Sequence, residues 1–177
     1  MDRARYIPQY TVAEYQQWPG EWELWAGVPV AMSPSPTRIH QRLSRELCLL
    51  LHSRLEAEGC QDCEVLYEID WIVSENTVYR PDVVVTCEPD GNDYIRKPPV
   101  FIAEILSDST RRKDTIFKHR AYQDLGVKYF LTVEPEDSTV AFFSLEDGTY
   151  RPMESERLEL SDGCVLSVKF ADIFSSV

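Results

Sequence analysis

Two carboxylates stand where carboxylates are costly. The runs Tyr79-Arg80-Pro81-Asp82-Val83-Val84-Val85-Thr86 and Val100-Phe101-Ile102-Ala103-Glu104-Ile105-Leu106-Ser107 are short and apolar, and each carries one acid. Val83 to Val85 is a β-branched stretch too short for a helix of its own, so it reads as a buried strand, as does Val100 to Leu106. Asp82 falls at the mouth of the first strand and Glu104 inside the second. A carboxylate in an apolar strand is expensive unless something pairs with it. Two on neighbouring strands repel each other, and a divalent cation relieves both costs. The plainer alternative is a turn at Pro81-Asp82 and a strand glutamate paired with an arginine. The next segment shifts the balance. After the polar break Ser107-Asp108-Ser109-Thr110, the stretch Arg111 to Tyr122 reads as a helix closed by Leu125-Gly126-Val127. Ser109 or Thr110 suits the N-cap and Gly126 the C-terminal stop. Ile116, Arg120 or Ala121, and Leu125 keep a helical period, and Asp114 and Lys118 share a face at i and i+4. An acid on each of two strands and a lysine on a helix are the parts of a metal-assisted phosphodiester cleavage site. For Asp114 and Lys118 the alternative is a surface pair contributing a few tenths of a kcal/mol.

Other elements must hold these residues in place. Thr11-Val12-Ala13-Glu14 is a capping box opening a short helix through Trp18, ended by Pro19-Gly20. Trp22-Glu23-Leu24-Trp25 and Val28 to Met32 flank Ala26-Gly27 as a hairpin. Ser33-Pro34-Ser35-Pro36-Thr37 breaks the strand and prepares a helix. Ile39, Leu43, Leu47, Leu50, Leu51 and Leu55 mark one side of that long helix, which ends near Gly59, with His40 on the edge of the stripe. His52 reads as surface. Glu64 to Ile72 is rich in strand formers, Ser74 to Thr77 turns the chain, and Glu88 to Tyr94 is a polar loop. Lys128 to Val133, Thr139 to Leu145 and Thr149 to Pro152 are further strands, with a hairpin turn at Asp147-Gly148. The tail from Leu166 to Phe174 closes as a strand end and a helical turn. The expected architecture is a mixed α/β (α+β) domain with a central sheet flanked by helices.

At 177 residues the chain is expected to form one domain, 1–177. No apolar stretch approaches the roughly 20 residues of a membrane helix. The start, Met1 to Tyr6, has no apolar segment of a secretory signal, so the expected compartment is the cytoplasm. Five cysteines, an odd and dispersed set, argue against a disulfide framework, and Cys60-Gln61-Asp62-Cys63 reads as an incidental spacing. The net charge is −12, with 30 acids against 18 bases. Nucleic-acid binders draw most of their affinity from phosphate neutralisation, so any such binding is expected to be weak and metal-dependent. One local basic cluster exists: Arg111, Arg112, Lys113, Lys118, His119 and Arg120. It is either a phosphate contact or a solvated helix face.

The run Arg80 to Val85, then Ala103 to Thr110, then Asp114, Lys118 and Tyr122, resembles the Uma family of restriction-endonuclease-like proteins, placed in the PD-(D/E)XK nuclease superfamily. The resemblance extends to Tyr10 to Tyr15, Trp22-Glu23-Leu24, Met32 to Pro36, His40, and Lys128 to Pro135, so it covers nearly the whole chain. It implies a restriction endonuclease-like core and Mg²⁺, or Mn²⁺, held by Asp82, Glu104 and the backbone carbonyl of Ile105. It implies Lys118 as the catalytic lysine, since the usual place two residues after the second acid is Leu106 here. Asp114 would position Lys118. His40 would contact phosphate or water. Glu23 is either a carboxylate near the metal or an outward-facing strand residue. Ala26 stands where the family usually has an acid. Two functions follow: a Mg²⁺-dependent endonuclease acting on DNA, expected as a homodimer, or a non-catalytic module that keeps the nuclease fold.

Overall fold

In the computed structural model, residues 7–32, 35–87, 91 and 93–176 are described. Ser33-Pro34 of the expected break and most of the expected loop Glu88 to Tyr94 lie outside them, as does the start Met1 to Tyr6. Among the described residues there are twelve strands and three α-helices: α1 Val12–Tyr15, β1 Trp22–Trp25, β2 Val28–Ala31, α2 Arg38–Ala57, β3 Cys63–Tyr67, β4 Trp71–Ser74, β5 Thr77–Tyr79, β6 Val83–Cys87 and β7 Phe101–Ile105. A π-helical segment, Lys113–Lys118, leads into α3 His119–Asp124. Then come β8 Tyr129–Glu134, β9 Thr139–Glu146, β10 Thr149–Pro152, β11 Arg157–Ser161, β12 Cys164–Ser167 and a 3-10 helix, Phe170–Ser176.

The central sheet has the order β10-β9-β8-β7-β6-β3. It is mixed, because β7 and β8 are parallel and the other neighbours antiparallel. A second sheet, β2-β1-β5-β4, is built from the hairpin and the strands before Pro81. The chain therefore crosses from the small sheet to the large one at Arg80-Pro81-Asp82, between β5 and β6. Alternation along the strands divides the core. Val83, Val85, Phe101, Ala103 and Ile105 face α2, whose Leu43, Leu47, Leu51 and Leu55 fill that side. Val84 and Ile102 face Tyr122, Phe130, Trp71 and Tyr79 on the other side. The capping box at Thr11 forms as expected, with Thr11 Oγ1 accepting from the Glu14 N–H, although the helix proper stops at Tyr15. No described helix is long and apolar enough to cross a membrane.

Two expectations need correction. The cysteines do form disulfides: Cys60–Cys164 and Cys63–Cys87. Cys63 and Cys87 are direct cross-strand partners of β3 and β6, and Cys60 meets the first residue of β12. Only the sheet register reveals these pairings; the odd count left Cys48 as the free thiol. The helix after Ser109 is also not regular. Its first part is a π turn, in which the His119 N–H donates to the Asp114 carbonyl, five residues back. Ile116, placed by the expected period on the apolar stripe, is 55% exposed.

Candidate active site

The Val83↔Ala103 pairing is the last between β6 and β7. Continuing that antiparallel register by one step sets Asp82 opposite Glu104, with both side chains on the face turned from α2. Asp82 is fixed by two bonds to one oxygen: Oδ2 accepts the Ile105 N–H at 2.7 Å and lies 3.1 Å from His40 Nε2. His40 reaches it because Thr37 caps α2 and brings the first helical turn over the mouth of β6. Burial works against the His40 charge, but the Asp82 bond and neighbouring acids outweigh it and raise its pKa. In a strand, the N–H and C=O of one residue face the same neighbour. The Ile105 carbonyl therefore faces the Asp82 side as well.

Glu104 is almost wholly buried. Its Oε1 accepts from Lys118 Nζ at 3.0 Å and from Tyr122 Oη at 2.7 Å. Burial raises its pKa well above the carboxylate range, against the pull of Lys118 and with Asp82, Asp114 and Glu23 adding to the rise. Lys118 is itself buried. Its Nζ lies 3.0 Å from Glu23 Oε1, 3.0 Å from Glu104 Oε1 and 3.8 Å from Asp114 Oδ1. Burial disfavours the ammonium, but Glu104, then Glu23, Asp114 and Asp82, hold its pKa well above the lysine range. Lys118 therefore remains the charged partner. Asp114 is buried too, and desolvation raises its pKa. The surface-pair reading of Asp114 and Lys118 is thus excluded.

Glu23 is fully buried, which excludes the outward-facing alternative. Its Oε1 also accepts the Arg80 N–H at 2.8 Å. Its Oε2 is buried without a hydrogen bond, 3.9 Å from Lys113 Nζ. Glu23 stands behind Lys118 rather than in the pocket itself. The Arg80 side chain turns away, to Asp70 at 2.7 Å and to Glu21, and locks the corner between the sheets.

Asp82, Glu104, Asp114, Lys118 and His40 line one pocket of about 130 Å³. Among the described residues no group of three or more His, Cys, Asp and Glu is arranged to hold a metal. Two carboxylates and a carbonyl nevertheless suit Mg²⁺, which keeps several waters and takes one or two protein carboxylates. Four acids (Glu23, Asp82, Glu104 and Asp114) lie around the buried Lys118 ammonium, with Lys113 beside Glu23 and Arg80 also on the pocket wall. Leu106 follows β7 with its N–H bonded to the Val133 carbonyl, and it does not line the pocket.

The basic cluster is divided: Arg111 pairs with Glu134, Lys118 is buried among acids, Arg120 lies near Asp124, Arg112 is exposed, and Lys113 lines the pocket. His119 packs edge-on against Phe130, Phe143 and Tyr150. Tyr122, quoted above for its resemblance alone, is the residue whose role was missed. Its signal was the four-residue spacing Asp114–Lys118–Tyr122.

The fold is shared with a crystal structure described as a putative nuclease belonging to DUF820 from Anabaena variabilis ATCC 29413. The TM-score is 0.71, with 15% identity, over 94% of this chain and 98% of that one. No curated protein matches. The family model for Uma2, described as "Putative restriction endonuclease", matches residues 12–170. That span holds every acid of the pocket, Lys118 and all twelve described strands, and the chain belongs to the Uma2 family.

Proposed function

We propose that this protein is a Mg²⁺-dependent endonuclease that hydrolyses phosphodiester bonds of DNA through a PD-(D/E)XK-type site. The observation that supports it is the convergence of Asp82 and Glu104, from adjacent strands, and Lys118, from the helix, on one pocket with more acids than cations. Asp82, Glu104 and the Ile105 carbonyl are the residues to hold Mg²⁺, and Mn²⁺ suits the same oxygen ligands. When bound, the ion supplies Lewis-acid stabilisation of the scissile phosphate and a more acidic water. His40 and the Ile105 N–H keep Asp82 aimed by occupying its Oδ2. Tyr122 and Lys118 do the same for Glu104 through Oε1, leaving Oε2 for a cation. Lys118 orients the attacking water or meets the charge that develops on phosphate. Glu23 and Asp114 set its direction. The −12 net charge keeps DNA affinity low without the cation. Two copies would bring a site to each strand of a duplex. Action on cellular DNA fits the cytoplasm, where both disulfides would face reducing thiols.

Calorimetric titration of Mg²⁺ and Mn²⁺ into wild type and Asp82→Ala tests the site, followed by cleavage assays on single-stranded, duplex and branched DNA. Binding and cleavage should vanish in Asp82→Ala and Glu104→Ala, while Lys118→Ala should keep the ion and lose turnover. Metal binding untouched by both acid substitutions would sink the proposal. A second reading, a non-catalytic module with a nuclease fold, is favoured by one observation: Lys118 is already engaged by three acids. Pure protein that binds the ion yet cleaves none of these substrates would support it.

A further inference from the structure

Although the chain carries a net charge of −12, three arginines gather on α2 beside the pocket. Arg38, Arg42 and Arg45 recur along α2 at spacings of four and three residues, opposite its leucine stripe. They span about 10 Å of helix axis. With Tyr67, they line a groove of about 520 Å³. Arg38 and Arg45 are exposed; Arg45 also rests on Glu46 at 2.5 Å. Tyr67 ends β3, the edge of the central sheet, and is 66% exposed. Leu49, farther along α2 in the same groove, is 56% exposed.

The groove adjoins the acidic pocket, and the two share Glu68 in their walls. Tyr67 pairs across the strands with Val83, the residue after Asp82. The Glu68 N–H donates to the Asp82 carbonyl at 3.2 Å, and the Glu68 side chain lines both the groove and the pocket. Arg38 is two residues from His40, which contacts Asp82. Cationic groups on one wall and an exposed aromatic ring on the other are what a single nucleic-acid strand requires. Phosphates meet guanidiniums, and an unpaired base stacks on the ring.

We infer that the groove between the arginine stripe of α2 and Tyr67 is a track that carries a single DNA strand into the acidic pocket. The inference rests on the nuclease reading for the pocket at its end and deepens it: the substrate class is DNA with a single-stranded segment. A base inside a duplex has both faces covered and cannot stack on Tyr67, so duplex interiors bind less well.

The test is fluorescence anisotropy with a labelled oligothymidylate of about ten nucleotides, at low salt and without divalent cation. Cleavage plays no part in this readout. Tyr67→Ala should weaken binding about tenfold and Tyr67→Phe should restore it. The double variant Arg38→Glu/Arg42→Glu should weaken it at least as much and flatten its dependence on salt. Both sites lie on the surface of the groove, and circular dichroism checks that each variant is folded. Wild type that fails to bind, variants that bind like wild type, or a preference for blunt duplex would each overturn the track. Cleavage with Mg²⁺ and Mn²⁺ is scored separately. Variants that lose binding in a protein that never cleaves would leave the track and remove the nuclease. Cleavage by wild type with binding untouched in the variants would do the reverse.

Discussion

α2 and the segment Lys113–Asp124 are both helical and both lie against the central sheet, on opposite faces, yet they bury opposite kinds of residue. α2 turns Leu43, Leu47, Leu51 and Leu55 inward and its arginines outward. The second segment turns Asp114, Lys118 and Tyr122 inward and leaves Ile116 and Phe117 in solvent. Hydrophobic burial alone gives a helix no reason to do this. The reason lies across the interface, where Glu23 and Glu104 await a cation. The π turn is the means. Residues spaced by four drift one way around an α-helix, and the wider π turn drifts the other way. A π turn followed by an α turn therefore keeps Asp114, Lys118 and Tyr122 in line. Such turns recur at functional sites.

The largest test of this contrast is Lys118→Ala. It leaves Glu23, Glu104 and Asp114 without their shared ammonium, and metal-free protein should lose roughly 3–5 kcal/mol in urea unfolding. Adding Mg²⁺ should return part of that loss. A loss below about 1 kcal/mol would mean that the acids take up protons instead. Leu47→Ala is the matching change in α2, at a position with no exposure. It should cost roughly 2–5 kcal/mol, and this cost should be indifferent to Mg²⁺. A Mg²⁺-sensitive loss there would erase the distinction between the two helices.

The next effect is a pH dependence. Burial among aromatic rings lowers the His119 pKa. Its stabilising contribution is therefore full above the ordinary imidazole pKa and is lost as pH falls through the lowered value. Thermal unfolding from neutral to mildly acid pH should show a smaller drop in Tm for His119→Phe than for wild type; equal drops would show that His119 does not titrate in this range. The smallest effect is expected at Ile116→Ser and Phe117→Ser, which should stay within about 0.5 kcal/mol of wild type. A larger loss at Ile116 would mean that a second copy covers it, and one at Phe117 that its contact with the Trp25 ring carries weight.

The same contrast explains what the sequence made legible. The leucine period of α2, the hairpin at Ala26-Gly27 and the two valine- and isoleucine-rich strands follow from local pattern, and each formed close to where it was expected. Asp82 and Glu104 were visible because an acid in an apolar strand is conspicuous. His40 needed the family resemblance, the i and i+4 spacing marked Asp114 and Lys118 without separating a site from a surface pair, and Glu23 was undecided until the small sheet folded it onto Lys118. Tyr122 entered through the resemblance with no role attached, and its bond to Glu104 appears only when the helix is laid against β7. Period counting failed at Ile116 because it assumes an α turn. The cysteine pairings were hidden because they depend on partners 104 and 24 residues apart.

The Cys60–Cys164 bridge has a consequence for the integrity of the chain. The loop it closes contains Asp82, Glu104, Asp114 and Lys118. A protease that nicks the backbone anywhere inside this loop makes two fragments that remain one covalent molecule. The cut protein would run as a single band without reductant and as two bands with it. The acids and lysine of the pocket would stay tethered to α2 through a break that would separate an unbridged chain.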